Sequence, residues 1–183
     1  MINTKKNREM TAFHCGIAAE AFASAMFARL NYDVSVQYGA NQPEYDLIVA
    51  QKNKLMKVSV KGSQMDGWVL APRKKGEKLS RYDLIDRWLK KHNKKTIFCF
   101  VQFKGKKIND FPNFYLATPS EVAKRMKETS NGKGKGVLYE NHTWGKAAKD
   151  AKGTTDKIPD SWAFNKKRIE ELFRISMTLL LFI

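Results

Sequence analysis

Two carboxylates and a lysine stand out in this chain by where the sequence puts them. Glu20 is the single charged side chain between Ala18 and Phe27, inside the Ala- and Phe-rich run TAFHCGIAAEAFASAMFARL. A carboxylate there is costly to bury without a cation, a metal or a hydrogen-bond donor. Asp46 and Lys61 sit near the two ends of YDLIVAQKNKLMKVSVKGSQ, two apolar runs split by a polar, lysine-bearing turn. Such a trio can do two kinds of work. It can pair structurally, Glu20 with a lysine such as Lys61, or Asp46 with Lys61 across strands for ~0.2–1 kcal/mol on a surface. Or its carboxylates can hold a hard cation with an ammonium close by.

The elements that must position these residues follow from periodicity. Residues 11–30 hold no proline and are apolar on nearly every side, which predicts a largely buried helix carrying Glu20. YDVSVQYG alternates Asp33, Ser35 and Gln37 with Val34, Val36 and Tyr38, a half-buried strand, and NQPE is the turn after it. DLIVA and LMKVSVKG predict a hairpin closed by QKNK. On its second strand Lys57, Ser59 and Lys61 point one way, and Met56, Val58 and Val60 the other. An even loop sets Asp46 opposite Ser59 (loop Lys52 and Asn53) or Lys61 (loop Asn53 and Lys54). Either register places Asp46, Ser59 and Lys61 on one face, whereas an odd loop or a bulge breaks the arrangement.

Downstream, Ser80 and Asp83 are positioned to cap a helix with Leu84, Ile85, Trp88 and Leu89 as its apolar stripe. TIFCFVQF is apolar on both faces, as a central strand covered above and below must be. NFYLA is a further strand, and Thr118, Pro119 and Glu121 form a capping box for the helix EVAKRMKE. The Lys/Gly-rich run to about residue 157 reads as mobile, with Val137, Leu138, Tyr139 and Trp144 as points of packing or stacking. A last helix carries Ile169, Leu172, Phe173, Ser176, Met177 and Leu180 on one stripe. The sum is one α/β domain with an αβββαβ core at about 11–128, a mixed central sheet flanked by helices, a basic segment at 130–157 and a C-terminal helix at about 165–183.

Lys and Arg number 34 against 18 Asp and Glu, a formal net charge of +16, which predicts a polyanionic partner with DNA as the first candidate. The bland alternative is a solvated basic surface, or a ribosomal or membrane-surface contact. PRKKGEK (with Arg73, Lys74 and Lys75), KKHNKK at 90–95 and NGKGKG (with Lys133 and Lys135) mix cations with Gly or Asn, so the backbone can approach phosphates closely. Cys15 and Cys99 lie in apolar runs and imply free thiols rather than a disulfide or zinc framework. MINTKKNREM has no apolar stretch behind it, which points to cytoplasmic residence. ISMTLLLFI is far short of the ~20 residues that cross a bilayer, so a packed tail or a homodimer contact is expected and no membrane anchor. His14, His92 and His142 are scattered, and GKGKG lacks the GK[ST] ending of a phosphate-binding loop, so neither zinc nor ATP is implied.

Taken together, Glu20, Asp46 and Lys61 resemble the active-site skeleton of the PD-(D/E)XK nuclease superfamily, and the element order over about residues 11–117 resembles its restriction endonuclease-like core. Among its branches the chain most resembles Holliday junction resolvases of the archaeal type and small restriction or homing endonucleases. The helical Glu corresponds to Glu20, the Asp opening a strand to the Asp46 of "YD", and the (D/E)-x-K triplet to Ser59, Val60 and Lys61. The resemblance implies Mg²⁺- or Mn²⁺-dependent hydrolysis of DNA phosphodiesters, with Asp46, Glu20 and the Val60 carbonyl as metal ligands and Lys61 orienting the water. Ser59 departs from the pattern, because the family places Asp, Glu or less often Gln there. A serine lowers metal affinity or removes activity, and the second reading is a degraded module that binds nucleic acid without cutting it. Glu44, Gln64 and Asp66 are near enough in sequence to compensate.

Overall fold

The structure, a computed structural model, describes residues 10–37, 44–92 and 96–178. The basic N-terminal run through residue 9, most of the NQPE turn, the end of KKHNKK and the last five residues of the apolar tail lie outside the described residues.

The first helix, α1 (Ala12–Arg29), is capped by Thr11, whose hydroxyl accepts from the His14 N–H (3.2 Å). It leads into β1 (Asp33–Val36), β2 (Leu47–Gln51) and β3 (Lys54–Ser63). β2 and β3 pair antiparallel from Leu47↔Val58 to Gln51↔Lys54, so the loop is Lys52 and Asn53, with Lys52 in the left-handed region at φ 56°. A three-residue strand, β4 (Gly67–Val69), precedes α2 (Arg81–Lys90), whose Ser80–Asp83 capping box forms as expected. β5 (Thr96–Gln102) then runs parallel to β3, and α2 supplies the crossover such a pair requires. β6 (Asn113–Ala117) pairs antiparallel with β5. The five strands form one mixed sheet in the order β1-β2-β3-β5-β6, flanked by helices: the α/β class expected of the sequence.

Every residue of β5 is buried because its two faces feed two cores. Ile97, Cys99 and Val101 pack with Ala19, Ala23 and Phe27 of α1, with Val58 and Val60, and with Ile169, Leu172 and Phe173 of α4 (Lys166–Thr178). Phe98 and Phe100 pack on the other face against Trp68, α2 and α3 (Pro119–Gly132). Ile169, Leu172, Phe173 and Ser176 of the expected C-terminal stripe are buried. The Met177 side chain and Leu180 lie outside the described residues.

The Lys/Gly-rich run differs from expectation, being ordered rather than mobile. It holds β7 (Val137–Tyr139), paired with β4, and the small ribbon of β8 (Asn141–Thr143) and β9 (Thr155–Lys157). Asp156, buried in this ribbon, accepts from the Ser130 N–H (2.8 Å), the Arg125 guanidinium (2.9 Å) and the Trp144 indole N–H (2.5 Å). Those bonds also explain the end of α3, where Ser130 and Asn131 turn left-handed (φ 59° and 52°). Trp144 thus has its polar edge held by Asp156 and its ring edge-on to Tyr139 and His142.

Candidate functional site

Glu20 is half-buried on α1, near enough to β3 for Lys61 to act on it. The close approach depends on Gly62, where a Cβ would lie 2.7 Å from the Cys15 carbonyl and 2.8 Å from the Ala19 Cβ. Glycine lets the helix settle against the strand at the residue next to Lys61.

Asp46 stands just outside the regular ladder. Its N–H donates to the Val58 carbonyl (2.9 Å), although the register partner of Val58 is Leu47, so two residues of one strand face one of the other. This is a bulge, and it turns the Asp46 side chain toward Val60, whose N–H donates to Oδ2 at 2.6 Å. The loop is even, as one of the two expected registers requires, but Asp46 does not simply lie opposite Ser59. In an extended strand the N–H and C=O of one residue leave on the same side, so the Val60 carbonyl also faces the Asp46 side. The Val60 side chain itself is in the core at 6% exposure.

Electrostatics join the trio. The Glu20 carboxyl is pushed above the ordinary carboxylate range by burial first and by the Asp46 charge second, with Lys61 pulling it back. Asp46 and Lys61 thus both act on Glu20 although the chain separates Glu20 from Lys61 by 41 positions. Ser59 is 3% exposed and registers with Phe98, so a small hydroxyl occupies a buried position in the middle of the sheet.

Sequence reasoning missed a neighbouring pair. His92 Nδ1 lies 3.1 Å from Glu44 Oε1, and the imidazole packs against Trp88 and Phe98. Burial is the first cause that holds His92 below the usual histidine range; Glu44 opposes it and Lys61 reinforces it, which places the pair near Lys61. At a separation of 48 positions no local spacing announces the contact. Gln64 and Asp66 are engaged elsewhere, Gln64 with the Met10 backbone and Asp66 with Lys104. Among the described residues no three His, Cys, Asp or Glu side chains are gathered tightly enough to hold a metal ion.

The basic runs are brought together in part. The Gly136 carbonyl accepts from the Leu70 and Ala71 N–H groups (2.9 and 3.0 Å), which joins the backbone just after Lys135 to the backbone just before Arg73. Arg73 donates to the Glu77 carbonyl (2.8 Å), and Glu77 is held down at about 2 by Arg87 and by the Lys74 N–H (3.0 Å). Lys133 lies 3.5 Å from Asp150, and Lys135 stands 5.1 Å over the Trp144 ring. Among the described residues no helix is long and apolar enough to cross a membrane.

No protein-family model and no curated protein matches the chain. A solved structure, that of the bacterial homing endonuclease I-Ssp6803I, aligns with 62% of this chain and 69% of its own at a TM-score of 0.35 and 16% identity. That overlap is too loose to carry residue roles across.

Proposed function

We propose that this protein is a metal-dependent DNA endonuclease that hydrolyses phosphodiester bonds where Glu20, Asp46 and Lys61 meet. The observation that supports it most is the Glu20 carboxyl, raised by burial and then by the Asp46 charge with Lys61 opposing, in a chain of net charge +16. Such a pair favours a bound cation, and Mg²⁺ characteristically takes one or two carboxylates and keeps water for its other positions, so two acidic side chains suit it without a three-residue cluster. Asp46, Glu20 and the Val60 carbonyl would hold Mg²⁺ or Mn²⁺, which when bound supplies charge stabilisation at the phosphoryl oxygens and a more acidic water.

The protein groups divide the remaining work. The Val60 N–H fixes Asp46 Oδ2, and the other carboxylate oxygen would meet the metal. The Lys61 ammonium offsets phosphate charge and orients the attacking water. Lys90, Lys91 and the 72–78 loop supply backbone phosphate contacts independent of sequence.

One observation favours a second reading, a nuclease-like module that binds DNA without cutting it. Ser59 is buried and uncharged at the position where a third carboxylate would strengthen metal binding. The deciding assay incubates plasmid, linear and branched DNA with Mg²⁺ or Mn²⁺, using Asp46→Ala and Lys61→Ala as controls. Cleavage by the wild type and a loss of roughly 100-fold or more in either variant are expected. Binding without cleavage in all three proteins would select the second reading, and gain of cleavage in Ser59→Glu would identify the missing carboxylate as its cause.

A further inference from the structure

A cavity of about 410 Å³ opens beside the candidate site, between the start of α1 and the stretch from Val60 to Leu70. Gly16, Lys61, Met65 and Trp68 are among its walls. Ala12 and Gly16 line it, and Glu20 is the next residue in the same row of the helix, one turn further on. The cavity therefore adjoins the place where Lys61 and the carboxylates meet.

Gly16 is the telling residue. A glycine inside a helix is destabilising relative to alanine, so its presence calls for a reason. The usual reasons fail: Gly16 is not among the residues with positive φ, and a Cβ built on it would meet nothing within 4 Å. Gly62 and Gly67 differ, since a Cβ at either would collide with backbone. What the missing side chain of Gly16 leaves is room in the cavity.

The contents of the walls narrow the occupant. Ser63 Oγ already donates to the Gly67 carbonyl (2.7 Å), and Gln64 is held by the Met10 backbone. Trp68 is 3% exposed with its indole N–H donated to the Lys61 carbonyl (2.8 Å), and Met65 is 66% exposed at the mouth. A mostly apolar slot with Lys61 among its walls remains. Its volume falls in the ~300–1,000 Å³ range of small-molecule sites. A flat ring with apolar faces, tethered to a phosphate, matches that slot: a nucleotide whose base enters while its phosphate stays at Lys61.

We propose that this cavity receives an unpaired nucleobase, so that the favoured substrate is DNA with a bulged, mispaired or single-stranded nucleotide at the cleavage site. The proposal rests on the nuclease reading for its DNA partner. A base inside an intact duplex must leave its stack to reach a pocket, and one that is already unpaired does so at least cost.

The test measures binding in chelator, where cleavage plays no part. Two short duplexes of the same sequence are compared, one fully paired and one with a single bulged 2-aminopurine. The wild type should bind the bulged duplex roughly tenfold more tightly and change the 2-aminopurine emission on binding. Gly16→Ala should weaken both properties, and Gly16→Phe should lose both while binding the paired duplex as before. Met65→Glu, at an already exposed mouth residue, serves as the second blocking variant if Gly16→Phe does not fold. Equal affinity of the wild type for the two duplexes, or undiminished discrimination in the blocked variants, would overturn the pocket. If discrimination fails while cleavage of paired DNA persists, the pocket alone falls; if no DNA is bound at all, both readings fall.

Discussion

Glu20 is a side chain whose ionised form opposes folding. Burial and the Asp46 charge raise its carboxyl above the usual range, so the folded chain holds this proton to higher pH than the unfolded chain does. The resulting stability is fully present below the ordinary Glu value and is lost as pH rises through the raised one. Glu20→Gln should therefore raise the Tm at about pH 8, with the gain shrinking toward about pH 3, where both states are protonated. Thermal denaturation across that range checks it, and a constant difference would remove the carboxylate repulsion from the account. His92 carries the opposite sign. Its lowered value means that stability is present above the usual histidine pKa and is lost as pH falls through the lowered one, while Glu44, Lys61 and Lys91 act on the ring. His92→Gln should flatten the stability profile in that window. At this scale Glu20 was legible because a lone charge in an apolar helix is conspicuous, and Asp46 because period two and a polar turn locate the hairpin. The bulge at Asp46 and the Glu44–His92 contact were not legible, since both depend on tertiary placement that local spacing does not encode.

Two glycines separate packing necessity from spare room among the elements. A methyl at Gly62 has backbone 2.7 Å away, so Gly62→Ala should destabilise by about 1–3 kcal/mol and push α1 outward. Because α1 carries Glu20, cleavage should fall by more than the unfolded fraction explains, a comparison that urea titration and activity measured together provide. Gly16→Ala should act the other way and stabilise by about 1 kcal/mol, since the helix gains and nothing is crowded. The caps at Ser80 and Thr118 were readable because a capping box is local chemistry. The Thr118 cap also shows what is not local: Glu121 receives Arg168 from α4 at 2.7 Å, and that guanidinium is almost wholly buried. The 130–157 run was misread for a related reason. Three-residue strands are too short to display a period, and the contacts that order them converge on Asp156, a residue no pattern marks.

At the scale of the molecule, the sequence made a basic surface evident but not its shape. The bond pair from Leu70 and Ala71 to the Gly136 carbonyl joins the backbone beside two runs separated by more than fifty residues. Their cations are not equivalent. Lys133 already faces Asp150, and Lys135 is committed to the Trp144 ring, whereas Lys74 and Lys75 project from an exposed loop braced through Glu77 and Arg87. A cation with a resident partner gains less from a phosphate than a solvated one, because it must give up that partner first. Each phosphate contact removed should lower the slope of log affinity against log salt by about 1. Replacing Arg73, Lys74 and Lys75 with Glu should therefore reduce the slope by about 2–3, and replacing Lys133 and Lys135 by about 1 or less. Both should weaken binding evenly across DNA sequences, since phosphates carry no sequence information. Fluorescence anisotropy over a salt series measures both slopes, and equal slopes for the two variants and the wild type would place the DNA path on another face of the molecule.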